Sequence, residues 1–416
     1  MVMKKVRRLN WSTLAVFGLT TVALFGISLF FSFPHALSES GTIKVGCVVP
    51  LSPPGAVSFG QEAKAGIDIA LKLINESGGV MGRKLEILFE DTQGRPEKAR
   101  AAFEKLITKD NVSAIVGEVH SSCCMAEIEV AHKYGVPFVN VNCWADAIRE
   151  KGYREIFNTS NYNANSASAF AEFIASMNAK TVVTFAENTD WGIGLAKLTG
   201  ELLKKKAPSI SYRYHVVDRA ATDFTTALLP LKSNPPDLVA VFIIPPPVFY
   251  LLNQMYELGI APSRRTWLLD SAVDAVDLWN NIKGVGKYLL GYTLVHPKMK
   301  FTDLGEKVNK IYKEKHNADA TRLVYVGFDG MWVLADAIKR AGATDKEKII
   351  KALEASNCKG TRGQITFSKE PGHYFNQWVN IPQQIYQFLE VGQDRSQAPI
   401  VWPPEMATAK PIRPTE

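Results

Sequence analysis

The residues best equipped for chemistry stand together in His120-Ser121-Ser122-Cys123-Cys124, with Cys143 further along. Imidazole and thiolate are soft donors, so one reading is a metal-dependent enzyme or carrier using His120, Cys123, Cys124 and Cys143. HxxCC is, however, no standard ligand spacing. A second reading is a disulfide from Cys143 to Cys123 or Cys124, as an oxidising compartment allows. A third has the thiols buried as small hydrophobes, with His120 a solvated loop residue. Cys47 and Cys358 read as structural singles. No GxxxxGK[ST], HExxH, GxSxG or CxxC occurs, and the glycine pairs do not follow the dinucleotide pattern. No catalytic residue, metal ligand or cofactor is therefore assigned, and the chain is expected not to be an enzyme.

The elements that must position this cluster alternate. The apolar run Ile43 to Val49 precedes a Pro/Gly loop and a helix near residues 58–75, where Ala63, Ile67, Ala70, Leu71 and Ile74 recur at helical spacing before Gly78-Gly79. Strands and helices then alternate through residue 141 and again after Asn158, as far as a strand at 266–269. Continuous apolar strands between amphipathic helices indicate parallel sheets covered on both faces, here two doubly wound α/β lobes. Further helices follow at 324–340 and 346–355 and a strand at 363–367, and the Pro-rich tail from 396 to 416 is expected on the surface. In parallel sheets the loops after consecutive strands meet at the carboxyl edge, which brings residues 120–124 toward 142–144.

Composition limits the function. The formal net charge is +7, but four positive charges are Lys4, Lys5, Arg7 and Arg8, which leaves +3 after residue 38. That balance does not support a nucleic-acid-binding face. The uncharged stretch Leu14 to Phe33 follows those basic residues, the order of a signal peptide or an uncleaved membrane anchor. Ala36-Leu37-Ser38 suits cleavage near Ser38, and in either case the remainder faces an extracytoplasmic compartment.

The segment from Ile43 through the Gly78-Gly79 turn to Ala99 resembles the amino-terminal signature of type I periplasmic solute-binding proteins, the leucine/isoleucine/valine-binding group of ABC importers. Ala114-Ile115-Val116-Gly117 with Ser121-Ser122, Tyr134-Gly135-Val136-Pro137, Asp190-Trp191-Gly192-Ile193-Gly194, Asp223-Phe224, Phe328-Asp329-Gly330 and the tail from Trp402 continue the pattern in order. The resemblance implies a periplasmic protein that closes two lobes over a small ligand, about a three-stranded hinge near 158–160, 293–296 and 367–368. It implies a first lobe of 42–158 and 296–367 and a second of 159–295 and 368–395. A branched-chain or other neutral amino acid is the implied ligand, a membrane permease the implied partner, and a monomer the implied state. Aromatic acids, other small carboxylates or short amides, or a membrane-anchored sensor role, are the alternatives.

The same resemblance places Ser121 and Ser122, with Asn142, Cys143 and Trp144, around a ligand carboxylate. There the free N–H groups opening a helix favour an anion. The alternative role of the two serines is N-capping. Trp191 is the implied aromatic wall on the second lobe, and an acid after the strand ending at Leu269 would meet an ammonium group. Ser271 occupies that acid's place, with Asp270 nearest. Asn142-Cys143-Trp144 stands where the family has a small Gly-Ala-Thr loop, and Phe59, Trp144 and Trp191 would then line an aromatic cleft. Ile244-Pro245-Pro246-Pro247 would narrow one side, and Gln93-Gly94 replaces one cysteine of the family's first-lobe disulfide.

Overall fold

The computed structural model describes residues 41–274 and 277–414. The apolar stretch 14–33 and the cleavage site near Ser38 lie outside the described residues. Among the described residues no helix is long and apolar enough to cross a membrane.

The first sheet is built from β1 (Ile43–Val49), α1 (Val57–Glu76), β2 (Leu85–Asp91), α2 (Pro96–Thr108), β3 (Ala114–Gly117), α3 (Ser121–Tyr134), β4 (Phe138–Asn140), α4 (Ala147–Glu150) and β5 (Ile156–Asn158). Its order is β2-β1-β3-β4-β5, all parallel, with Val45 beside Ile87 and Ala114. The helix expected from the spacing of Ala63, Ile67, Ala70 and Ile74 is α1, and those four residues are buried.

The second sheet begins with α5 (Asn163–Ser176), β6 (Thr181–Glu187), α6 (Asp190–Lys206), β7 (Ser211–Val217), α7 (Thr225–Ser233), β8 (Leu238–Phe242), α8 (Pro247–Glu257), β9 (Trp267–Asp270), α9 (Leu278–Asn281) and β10 (Leu290–Thr293). The chain then adds α10 (Asp303–His316), α11 (Arg322–Ala341), α12 (Lys346–Glu354) and the small ribbon β11 (Cys358–Lys359) with β12 (Gln364–Ile365). It returns to the second sheet as β13 (Gln384–Gln387) and β14 (Ile400–Trp402), giving the order β14-β13-β10-β9-β8-β6-β7.

α11 packs along α1 of the first sheet, where Gly66 and Gly327 let the backbones meet; a Cβ on Gly66 would lie 1.9 Å from the Val324 carbonyl oxygen. The chain thus leaves the first sheet after Asn158, comes back after Thr293, and leaves again after Gln377, which is bridged to Asn158. Three features differ from the sequence expectation. The third crossing follows Gln377 rather than residues 367–368, because Gln377 still pairs with Asn158 of the first sheet. β13 and β14 run antiparallel, so the second sheet is mixed rather than wholly parallel. The tail is not all surface: Ile400 and Val401 are buried, because this short apolar run sits on a sheet edge, where flanking prolines cost no ladder bond.

Candidate ligand-binding cleft

At the carboxyl edge of the first sheet, β3 runs into α3 through Glu118, whose positive φ turns the chain, and His120. His120 takes the N-cap position without a side-chain cap, so the first N–H groups of α3 have no side-chain acceptor. Ser121 does not cap α3. Its Oγ accepts from the Trp144 and Ala145 N–H groups at 3.0 and 3.1 Å and so ties the β4–α4 loop to α3. Asn140 shapes that loop from within, its Oδ1 accepting from the Asn142 and Cys143 N–H groups. The Trp144 indole N–H donates to Ser160 Oγ at 3.1 Å.

The opposite wall comes from the second sheet. Glu187 ends β6 buried, accepting from Thr189 Oγ1 at 2.8 Å and from the Ile244 N–H at 3.0 Å. Burial raises its pKa, and the Arg219 guanidinium opposes that rise. Thr189 caps α6 through the Gly192 N–H, which sets Trp191 in the wall. The Trp191 and Trp144 rings meet edge to face, with centroids 6.3 Å apart. The Trp191 Nε1 donor is buried without a partner among the described residues.

Arg322, at the start of α11, closes the base of the cleft. Its Nη1 donates to Asn142 Oδ1 at 2.6 Å, and its Nε and Nη2 donate to the two oxygens of Asp274 at 2.7 and 3.1 Å. The guanidinium lies 5.0 Å from the Trp144 ring centre and 5.3 Å from that of Phe59. Phe59, Asn142, Trp144, Glu187, Trp191 and Arg322, with Ser122, Ser271 and Ile244, enclose about 400 Å³ of space between atoms, counting the part open to solvent.

Of the residues singled out in the sequence, Phe59, Ser121, Ser122, Asn142, Trp144, Trp191 and Ser271 line this cleft. Cys143 and Asp270 do not. The Cys143 side chain is packed in the core beneath the first sheet with Ile128 and Ile148. Asp270 is fully buried at the end of β9, one oxygen accepting the Ala272 N–H at 2.6 Å, and burial pushes its carboxyl well above the usual range. Ser271 Oγ donates to the Val241 carbonyl.

Sequence reasoning missed Glu187, Arg322, Asp274 and Arg219. A charged residue at the carboxyl end of an apolar strand was a signal for Glu187. Nothing local pointed to the other three.

All five cysteines are buried free thiols, which removes the disulfide alternative. Among the described residues, no group of three or more His, Cys, Asp and Glu side chains is arranged to hold a metal ion. His120 is not the solvated loop residue expected: its ring is buried and its Nε2 accepts from the Ala56 N–H at 3.1 Å. Burial raises the Cys47, Cys123 and Cys143 thiols and lifts Cys358 to about 12. A thiol reagent is therefore expected to titrate almost none of them in the native protein and all five after denaturation without reductant. Fewer than five after denaturation would restore a disulfide.

Residues 42–383 match the family model described as periplasmic binding protein. A leucine-, isoleucine-, valine-, threonine- and alanine-binding protein of Pseudomonas aeruginosa is 24% identical over 351 residues, covering 83% of this chain and 91% of that protein. A leucine binding protein of Thermotoga maritima superposes with a TM-score of 0.77 at 24% identity, over 86% of this chain and 97% of that one. A solute binding protein of an ABC transporter from Rhodopseudomonas palustris, in complex with 3,4-dihydroxy benzoic acid, superposes with a TM-score of 0.71 at 22% identity, over 83% and 92% of the two chains.

Proposed function

The chain belongs to the periplasmic binding protein family, and we propose that it captures a neutral, branched-chain type of amino acid for an ABC importer by closing its cleft over the zwitterion. The carrying observation is the polarity of the two walls. Free N–H groups of α3 stand on one side and the buried carboxyl of Glu187 on the other. Helix N-terminal N–H groups favour a carboxylate. Glu187, whose oxygens take one N–H and one hydroxyl among the described residues, has lone pairs for an ammonium. Glu187 thus takes the part that the family gives to an acid after β9, where Ser271 stands. Phe59, Trp144 and Trp191 cover the side chain, and Ser122 and Asn142 stand at the polar end.

Binding names of relatives support this reading: the Pseudomonas protein is named for five neutral amino acids. A second reading, an aromatic carboxylate, is favoured by the edge-to-face pair of Trp144 and Trp191, and the Rhodopseudomonas relative is a complex with such an acid. In either case the protein acts outside the cytoplasm, delivered by the segment before residue 39 and working as a monomer on a membrane permease. The lobes that close are 42–158 with 296–377, and 159–295 with 378–395, the second boundary falling at Gln377 because that residue still pairs with Asn158.

The test is a thermal-shift screen of refolded, ligand-stripped protein against neutral amino acids, aromatic acids and short amides. Leucine, isoleucine or valine is expected to stabilise it. Glu187→Gln is expected to weaken that binding by about 1.5–3 kcal/mol, roughly 10- to 150-fold, through loss of a charged hydrogen-bond partner. A response to benzoates alone, unchanged by Glu187→Gln, would move the assignment to the second reading.

A further inference from the structure

Arg219 follows β7 on the second sheet, yet among the described residues its side chain hydrogen-bonds to Gly94 and His120 at the edge of the first. Its Nη1 donates to the Gly94 carbonyl oxygen at 2.9 Å, and its Nη2 lies 2.8 Å from His120 Nε2. The same Nε2 faces the Ala56 N–H at 3.1 Å. Two donors on one ring nitrogen require that nitrogen to be the acceptor, so His120 is neutral with its proton on Nδ1. Gly94 makes the approach possible. It has a φ of 61°, and a Cβ there would come within 2.6 Å of Arg219 Nη2 and 2.7 Å of the imidazole.

We propose that Arg219 is a latch between the two walls of the cleft that holds only while His120 is neutral, so that acidification loosens the closed form and releases ligand. A proton on Nε2 removes the acceptor from two donors at once and sets an imidazolium against the Arg219 guanidinium. In the open form the ring meets water and titrates near its ordinary value of about 6.5. In the closed form burial and Arg219 lower it well below that. The closed form therefore binds fewer protons. Its advantage is complete above the open-form value and is lost as pH falls through it, up to tenfold in the open-to-closed ratio per pH unit.

The other charges around the ring are engaged elsewhere. Glu118, in the turn after β3, and Glu127, on α3, are both raised by burial, and Glu118 accepts the His120 backbone N–H rather than the ring. Asp91, on β2, is turned to the Leu51 and Gln93 N–H groups. Glu187 faces Arg219 from β6, Asp190 at the start of α6 accepts from Ser122 Oγ at 2.8 Å, and Arg322 is held by Asp274. None of these is an acceptor for the His120 ring. Glu187 could imitate the effect, because protonating it weakens its attraction for Arg219.

The latch does not depend on which ligand is bound, so it is read without ligand. Dyes on Lys98→Cys in α2 and Lys197→Cys in α6, both exposed positions, report the distance between the walls while the native thiols stay buried. Transfer efficiency is expected to fall between about pH 8 and pH 5, the range in which imidazole titrates. His120→Gln, a permanently neutral acceptor, is expected to abolish that pH response and keep the efficiency high. Arg219→Gln is expected to give low efficiency at every pH, with circular dichroism confirming the fold. An efficiency that does not change with pH in the parent protein overturns the latch, as does a His120→Gln protein that responds like the parent, which would transfer the effect to Glu187.

Discussion

Arg362→Ala is expected to cost about 3–5 kcal/mol of folding stability, because it strands a carboxylate in the protein interior. Asp329 sits midway along α11, and both it and Arg362 have fully buried side chains. Arg362 Nε and Nη2 each lie 3.2 Å from Asp329 Oδ2, while the Thr361 N–H and hydroxyl donate to the same carboxylate at 2.7 and 2.8 Å. The guanidinium also stacks 5.0 Å above Trp378, which follows Gln377, so it ties α11 to the segment that passes between the sheets. Burial raises Asp329, and Arg362 is the largest influence pulling it back. Without Arg362 the folded-state value climbs further above the unfolded value of about 3.9. A group raised in this way gives its full stability below the unfolded value and loses it as pH rises through the folded one. The deficit of Arg362→Ala is therefore expected to be smaller near about pH 4 than at pH 7, as measured by urea unfolding at each pH. A deficit independent of pH would mean that Trp378 packing, not the ion pair, carries the loss. Replacing both partners by apolar residues of similar volume should recover much of the loss, since no charge is then left unpaired.

How far each feature was legible follows from the range over which its cause acts. α1 was readable because Ala63, Ile67, Ala70 and Ile74 repeat on one helical face, and β1 and β3 because buried parallel strands are continuous apolar runs. β13 was not: Gln384-Ile385-Tyr386-Gln387 has too few apolar residues to stand out, and it is buried only because β10 and β14 flank it. The same holds for β14 in its proline-rich surroundings.

In the cleft, the order of recognisable segments located Ser121, Ser122, Asn142, Trp144 and Trp191. It also suggested Cys143 and Asp270, which adjoin cleft residues in sequence yet face a core. On β9 a shift of one residue exchanges the faces of a strand, and Asp270 falls on the wrong one. The ion pair beside the cleft was hidden for another reason. Arg322 and Asp274 are 48 positions apart and meet only because α11 and the loop after β9 converge.

That pair carries the sharpest expectation about specificity. The cleft contains Arg322 already matched by Asp274, and Glu187 facing Arg219. The charges balance, which suits a zwitterion better than a bare anion. Asp274→Asn removes one negative charge while keeping a group of the same shape beside Arg322. It is expected to turn the preference from leucine toward benzoate, with the change in affinity ratio measured by calorimetry. Arg322→Ala acts more severely. It leaves Asp274 buried without its cation and withdraws the Asn142 anchor, at a cost of about 3–5 kcal/mol in stability. Binding of any carboxylate should weaken by about 2–5 kcal/mol, which is 30-fold or more. The two variants together separate the roles of the pair. If Asp274→Asn leaves the leucine-to-benzoate ratio unchanged while Arg322→Ala abolishes both, the pair is only a brace for the Asn142–Trp144 loop, and charge balance does not select the ligand. If the ratio reverses, Asp274 sets the selection by cancelling Arg322, and the aromatic lining serves whichever side chain the charges admit.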